Sequence, residues 1–131
     1  MKELTDAQRR FLEQPFAAVA TTLRRDGSPH NTVVWVDVDD DLPSFNTALG
    51  RAKPNHLEHD DRVALTVVDP NDMYRWLAID GRATLTTEGA DEQIDKLSEK
   101  YTGNPVYQGR VPGQQRVKVR IAPERITAYG V

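Results

Sequence analysis

Apolar positions along this chain recur with two different periods, and the switches between them divide it into short elements. Leu4, Phe11 and Leu12 form one stripe of a short helix, which Thr5 and Gln8 open with capping-box spacing and Pro15 stops. Phe16 to Leu23 reads as a buried strand and Asp26-Gly27 as a hairpin turn. Thr32 to Val38 is the return strand, with Val34, Val36 and Val38 on one face. Leu42 to Ala48 makes a third strand and delivers the chain to Gly50, Arg51 and Lys53. A short helical run follows, with Pro54 in its first turn and Leu57 as its apolar contact. Val63 to Val68 is a continuous apolar strand ending at Asp69-Pro70-Asn71-Asp72. Tyr74 to Thr86 alternates, with Leu77, Ile79, Ala83 and Leu85 on one face and Tyr74, Trp76, Asp80 and Arg82 on the other. Ala90, Ile94, Leu97 and Tyr101 return to helical spacing, with Glu92 and Lys96 placed for an i,i+4 ion pair. Thr102 to Gln115, rich in Gly and Pro, reads as a long loop. Arg116 to Ile121 closes the pattern as a strand, with Val117, Val119 and Ile121 inward and Arg116, Lys118 and Arg120 outward.

About six strands with short helices, several joined by tight hairpins, describe a mainly antiparallel α+β domain. At 131 residues it is one domain, 1–131, without internal repeats, and large enough to bury about two-thirds of its unfolded surface. A sheet of this size is expected to curl into a barrel, which removes exposed edges. Composition narrows the function. Cysteine is absent, which excludes disulfides, thiolate metal sites, iron–sulfur clusters and cysteine nucleophiles. The polar start MKELTDAQRRFLEQ lacks the apolar core of a signal peptide, and no apolar run approaches membrane-spanning length, so the cytoplasm is the expected compartment. A net charge of −3 gives no general attraction to nucleic acid, so any anion must be held locally.

One place could hold an anion. Cations are poor neighbours for a helix N-terminus, whose unpaired N–H groups already act as roughly half a positive charge. Arg51 and Lys53 at such a terminus make sense if a phosphate shares the site; a solvated loop with two surface cations is the competing reading. The acidic run Asp37, Asp39, Asp40 and Asp41 lacks the glycine and distal glutamate of an EF-hand and reads as a solvated hairpin turn. His56 and His59 have the i,i+3 spacing of a metal pair but no obvious third ligand, and His30 reads as lining a surface or pocket. The signatures G-x-S-x-G, G-x-G-x-x-G and G-x-x-x-x-G-K-[ST] are all absent. Trp35, Tyr74 and Trp76 sit off the aliphatic face of their strands, where large aromatics mark an interface or a ligand platform. The Arg116-Lys118-Arg120 stripe reads as a solvated edge.

Four blocks, VATTLRRDGSPHNTVVWV (Val19 to Val36), GRAKPNHLEHDDRVALTV (Gly50 to Val67), YRWLAIDGRATL (Tyr74 to Leu85) and IAPERITAYG (Ile121 to Gly130), resemble in order and spacing the pyridoxamine 5′-phosphate oxidase-like split β-barrel family. Within it, the chain is most similar to short actinobacterial proteins that use the deazaflavin coenzyme F420. The resemblance implies a split β-barrel of six to seven antiparallel strands with short flanking helices, a homodimer, and a flavin or deazaflavin at the subunit interface. By resemblance, Arg51 and Lys53 match the basic pair that holds the cofactor phosphate, and Thr32 and Val33 the strand beneath the ring. Asn46, Thr47 and Ala48 match the strand end that leads into the phosphate loop, and Trp76 an aromatic that approaches the groove from the other subunit.

The implied reaction is hydride transfer from reduced F420 to a small unsaturated or conjugated acceptor, with no catalytic residue named by the sequence. The loop Thr102 to Gln115, with Tyr107 and Arg110, is expected to shape the substrate mouth. The long substrate-binding ending of true pyridoxamine phosphate oxidases is not found here, which argues against a vitamin B6 substrate. The alternatives are an FMN-dependent reductase or oxidase on the same barrel, and a cofactor-binding protein without turnover. Surplus cations at Arg24, Arg25, Arg51 and Lys53 favour F420, whose tail is acidic. No partner beyond a second copy and a small molecule is implied, and neither nucleic acid nor membrane.

Overall fold

The computed structural model describes residues 1–131. Three helices, α1 (Asp6–Glu13), α2 (Ala52–His59) and α3 (Ala90–Thr102), flank seven strands. The strands are β1 (Ala18–Leu23), β2 (Pro29–Val34), β3 (Val36–Asp39), β4 (Leu42–Ala48), β5 (Arg62–Asp69), β6 (Asp72–Thr86) and β7 (Arg116–Tyr129). They form one antiparallel sheet in the order β2-β1-β5-β6-β7-β4-β3.

That order dictates the shape. The two edge strands, β2 and β3, are consecutive in the chain and separated only by Trp35. A seven-stranded sheet whose opposite edges lie one residue apart must curl until those edges meet, giving a split half-barrel. The single strand expected over Thr32 to Val38 is therefore corrected. Its apolar face is continuous, with Val34 and Val36 both in the core, but the chain changes partner at Trp35, leaving β1 for β4.

Local chemistry explains most of the boundaries. Thr5 and Gln8 cap α1 reciprocally, each backbone N–H donating to the other's side chain at 3.0 and 3.1 Å. Gly27 takes φ 84° in the β1–β2 turn, which Arg24 and Ser28 close at 2.9 Å. Asp40 and Asp41, at φ 53° and 62°, make the two-residue β3–β4 turn that aspartate tolerates better than most residues.

The rest of the acidic run is not solvated. Asp37 is buried and pairs with Lys96 at 3.2 Å, while Asp39 pairs with Lys118 and Arg120. Lys96 thus reaches across to β3 rather than along α3 to Glu92.

β7 extends beyond the expected Ile121. The alternation breaks at Ala122-Pro123-Glu124 because the β6–β7 register shifts there, between Asp80 and Gly81. Nor is β7 an edge. It lies between β6 and β4, and α3 packs on its second face, so Arg116 and Lys118 are 4% and 8% exposed. The reading of Arg116, Lys118 and Arg120 as a solvated stripe is overturned for its first two members. The barrel interior is filled by Phe11 and Leu12 of α1 with Val36, Phe45, Leu65, Leu77, Ile79, Val119 and Ile121 from the strands. No helix is long and apolar enough to cross a membrane.

Candidate functional site

β4 ends at Ala48, and the chain turns through Leu49 and Gly50, whose φ of 89° glycine alone adopts freely, into α2. Arg51 stands at the N-cap in extended conformation and offers no side-chain cap, so the first N–H groups of the helix keep their donor capacity. Pro54 and Leu57 anchor the helix by burial. The turn therefore presents Arg51 and Lys53 at the mouth of a groove of about 200 Å³. One end is cationic, formed by Arg51, Lys53 and Arg116 with Thr47. The other is apolar, formed by Val33, Val34, Trp35, Ile94 and Leu97, and Tyr107 lies between the two, with its ring against Arg116.

The cationic end is built at an electrostatic cost. None of the chain's ion pairs includes Arg51, Lys53 or Arg116. Burial, followed by repulsion from Arg51 and Arg116, holds the Lys53 ammonium below the ordinary lysine value of 10.5. Burial likewise lowers Arg116, with Arg51 and Arg110 adding to the effect. Its neutral partners are Asn46, at 2.9 Å from Nε to Oδ1, and Gln114, at 3.1 Å, with the Tyr107 ring against the guanidinium at 5.3 Å. Thr47 is 1% exposed, and its hydroxyl has no hydrogen-bond partner. Three converging cations, none of them in an ion pair, beside an orphaned buried hydroxyl, fit a phosphate.

The candidate residues read from the sequence separate into three groups. Arg51, Lys53, Val33, Asn46 and Thr47 all line this groove. Thr32 and Ala48 support it. The Thr32 hydroxyl accepts from Lys53 Nζ at 3.1 Å, and the fully buried Ala48 pairs with Arg116 across the sheet. Trp76 lies elsewhere, on the outward face of β6 beside Val68 and Tyr129 and outside the groove lining.

Asn46 is spent internally, its amide donating to the Ala90 carbonyl at 2.8 Å and to Gln93 at 3.0 Å. Tyr107 does reach the groove, whereas Arg110 is exposed and paired with Asp95 at 2.7 Å. Arg116 is the residue that sequence reasoning missed as a site. Its alternation with Val117 was visible, but what covers its face was not.

His56 and His59 have other partners, whereas the buried Nδ1 of His30 has none. His56 Nδ1 lies 2.8 Å from the Thr22 hydroxyl, its ring meets His30 edge-on at 5.0 Å, and His59 faces Arg25 at 3.3 Å. No group of three potential ligands that could hold a metal ion occurs. A wider depression between α1, the β3–β4 turn and α3 carries charges of both signs and a single hydrophobic residue, so it offers no bed for a ring.

The profile of the pyridoxamine 5′-phosphate oxidase family matches residues 4–130, nearly the whole chain. The protein belongs to that family. A relative in it, the F420H(2)-dependent biliverdin reductase of Mycobacterium tuberculosis (strain CDC 1551 / Oshkosh), is 30% identical over 128 residues, spanning 94% of this chain and 86% of that one. Among solved structures, one described as an F420 reductase superposes with a TM-score of 0.82 at 23% identity, covering 95% of this chain and 98% of its own. A conserved hypothetical protein of M. tuberculosis gives 0.76 at 24% identity, over 98% and 89%. The HupZ protein of Group A Streptococcus gives 0.69 at 21%, over 95% and 93%. At these identities the solved structures establish the pyridoxamine 5′-phosphate oxidase-like fold.

Proposed function

We propose that this chain is an F420-dependent oxidoreductase that reduces a small unsaturated or conjugated acceptor and works as a homodimer. The observation that carries the reading is the unpaired cationic cluster of Arg51, Lys53 and Arg116 around the orphaned Thr47 hydroxyl. The 30% identical relative supports the deazaflavin in particular, because its name gives F420H(2) as reductant and biliverdin as acceptor.

In this reading Arg51, Lys53 and Arg116 hold the cofactor phosphate, and the Thr47 hydroxyl donates to one of its oxygens. Thr32 aims the Lys53 ammonium, and Asn46 fixes the Arg116 guanidinium from the opposite side. Val33, Trp35, Ile94 and Leu97 keep water from the apolar end. The chemistry supplied there by bound, reduced deazaflavin is hydride donation to an activated C=C or C=N bond. The groove presents no carboxylate or histidine; the side chains lining it that carry a transferable proton are Lys53 and Tyr107.

Lys53 sets the pH dependence. Its depressed pKa means that it loses its proton at lower pH than a free lysine, so phosphate affinity falls as pH rises through that lowered value. Lys53→Arg keeps its charge and should remove this alkaline limb. Cofactor titrations at several pH values between about 7 and 10 check it; a flat wild-type profile would count against Lys53 as a phosphate ligand.

The outward face of the sheet supports the dimer. Val19, Val33, Val68, Tyr74 and Tyr129 are 40%, 73%, 43%, 68% and 59% exposed, and Trp76 lies among them. A face this apolar points to a protein partner, and Val33 links it to the groove, so a second copy seated there would complete the cofactor site. Introducing charge with Val68→Glu and Tyr74→Glu should shift the sedimenting species from dimer to monomer and weaken cofactor binding with it. A wild-type monomer would overturn the dimer.

Turnover tests the function as a whole. Reduced F420 is mixed with protein and a panel of acceptors that includes biliverdin, and acceptor-dependent reoxidation of F420 is followed optically. Binding without any acceptor-dependent reoxidation would make this a cofactor-binding protein instead.

A further inference from the structure

The apolar end of the groove is a corner of aromatic rings. Trp35, at the strand break, stacks on Tyr101 with centroids 5.5 Å apart and an interplanar angle of 9°. Tyr101 is itself fixed, because its hydroxyl donates to the Phe16 carbonyl at 2.7 Å and accepts from the Val36 N–H at 3.1 Å. The indole therefore cannot turn without breaking that stack. Tyr107 meets Trp35 at 88°, with centroids 6.1 Å apart, and closes the corner.

Unlike Tyr101, Tyr107 stands on the segment between α3 and β7 rather than on a helix or strand. What holds it is polar. Its N–H donates to Asp95 Oδ1 at 2.9 Å, and Asp95 also receives Arg110 at 2.7 Å. Arg110 lies three residues beyond Tyr107, so this one carboxylate gathers the loop from two points. The ring then rests against Arg116 and folds over Gly109, where any Cβ would overlap its hydroxyl.

We propose that Tyr107 is the specificity-determining residue for the acceptor, selecting flat conjugated molecules that stack in the corner with Trp35, and that Arg110 is its positioning residue through Asp95. This rests on the oxidoreductase reading given above. Two aromatic planes at right angles over the aliphatic Ile94 and Leu97 reward a flat π-system with face and edge contact together. A compact aliphatic acceptor gains little there. Asn46, which also lines the groove, has its N–H groups and oxygen committed to Ala90, Gln93 and Arg116, which leaves shape and stacking, together with the Trp35 indole N–H and the Tyr107 hydroxyl, to discriminate there.

The test separates this inference from the cofactor assignment. In a Trp76→Phe background Trp35 is the sole tryptophan, and its quenching by biliverdin is titrated without cofactor, with thermal melts confirming that each variant folds. Tyr107→Ala should weaken the midpoint at least tenfold and Arg110→Gln several-fold, while Tyr107→Phe stays within about twofold because ring shape is retained. In turnover with reduced F420, the ratio of kcat/KM for biliverdin to that for crotonaldehyde, a compact enal, should fall at least tenfold in Tyr107→Ala. An unchanged ratio, an unchanged midpoint in Tyr107→Ala, or no quenching of Trp35 in the parent would each overturn the proposal. The expected quenching pattern without F420 turnover would sink the oxidoreductase reading and leave the corner as a binding site for flat ligands.

Discussion

Replacing Arg51 and Lys53 together by alanine is expected to remove most of the affinity for a phosphate-bearing cofactor while leaving the folded chain as stable as before, or slightly more so. Each charge-assisted contact to a phosphate contributes about 1.5–3 kcal/mol, so each single variant should lose roughly ten- to a hundredfold in affinity. Lys53 should stand at the upper end, because it is half-buried, and the exposed Arg51 at the lower. The two side chains repel each other and share one ligand, so the double variant should fall short of the simple sum.

Stability separates this account from a structural role. Lys53 has only the neutral Thr32 hydroxyl to lose, with no acidic partner, and its ammonium is destabilised by burial and by the neighbouring cations. Removing it relieves repulsion among the three cations, the usual signature of a residue kept for binding rather than for folding. A calorimetric melt beside a cofactor titration reads both effects. Lost stability with unchanged affinity would show that the cluster serves the fold and that the phosphate lies elsewhere.

The second large effect concerns the barrel wall. Gly81→Ala should destabilise the protein by about 2–3 kcal/mol, which at this chain length lowers Tm by about 10 °C. Gly81 sits where the β6–β7 register shifts, and the β7 backbone comes directly over it. A Cβ there would overlap the Ala122 carbonyl oxygen, lie 2.9 Å from its carbon, and press on Ile121 Cγ2 at 3.0 Å. Backbone in the middle of a paired strand cannot give way as the tip of a flexible side chain can. Chemical denaturation measures the loss, and a variant within about 0.5 kcal/mol of wild type would mean that the two strands lie further apart than described.

Much of the fold was legible because turn chemistry and alternation agreed. Leu42–Ala48 was bounded by an aspartate turn before it and glycine after it, and the Thr5–Gln8 box marked its helix start directly. The break at Trp35 left no such mark. Val34, Val36 and Val38 keep a single alternation while the chain passes from one sheet edge to the other, and only pairing across the barrel reveals the exchange.

Arg116 shows the same limit within the site. Alternation located its face correctly as the one opposite Val117, but a second face can be wet or covered. Here α3 covers it, and that fact belongs to packing far away in sequence. Arg51 and Lys53 could be read because their oddity is local: cations where a helix start disfavours them. Trp76 was placed on the outward face of its strand, and its position relative to the groove depends on how a second copy sits.

The most direct test is a pair of titrations on the purified protein, one with F420 and one with FMN, followed by tryptophan fluorescence at fixed salt. The account predicts low-micromolar binding of F420, markedly weaker binding of FMN, and loss of F420 binding in the Arg51→Ala, Lys53→Ala double variant. A preference for FMN, or failure to bind either cofactor, would contradict it.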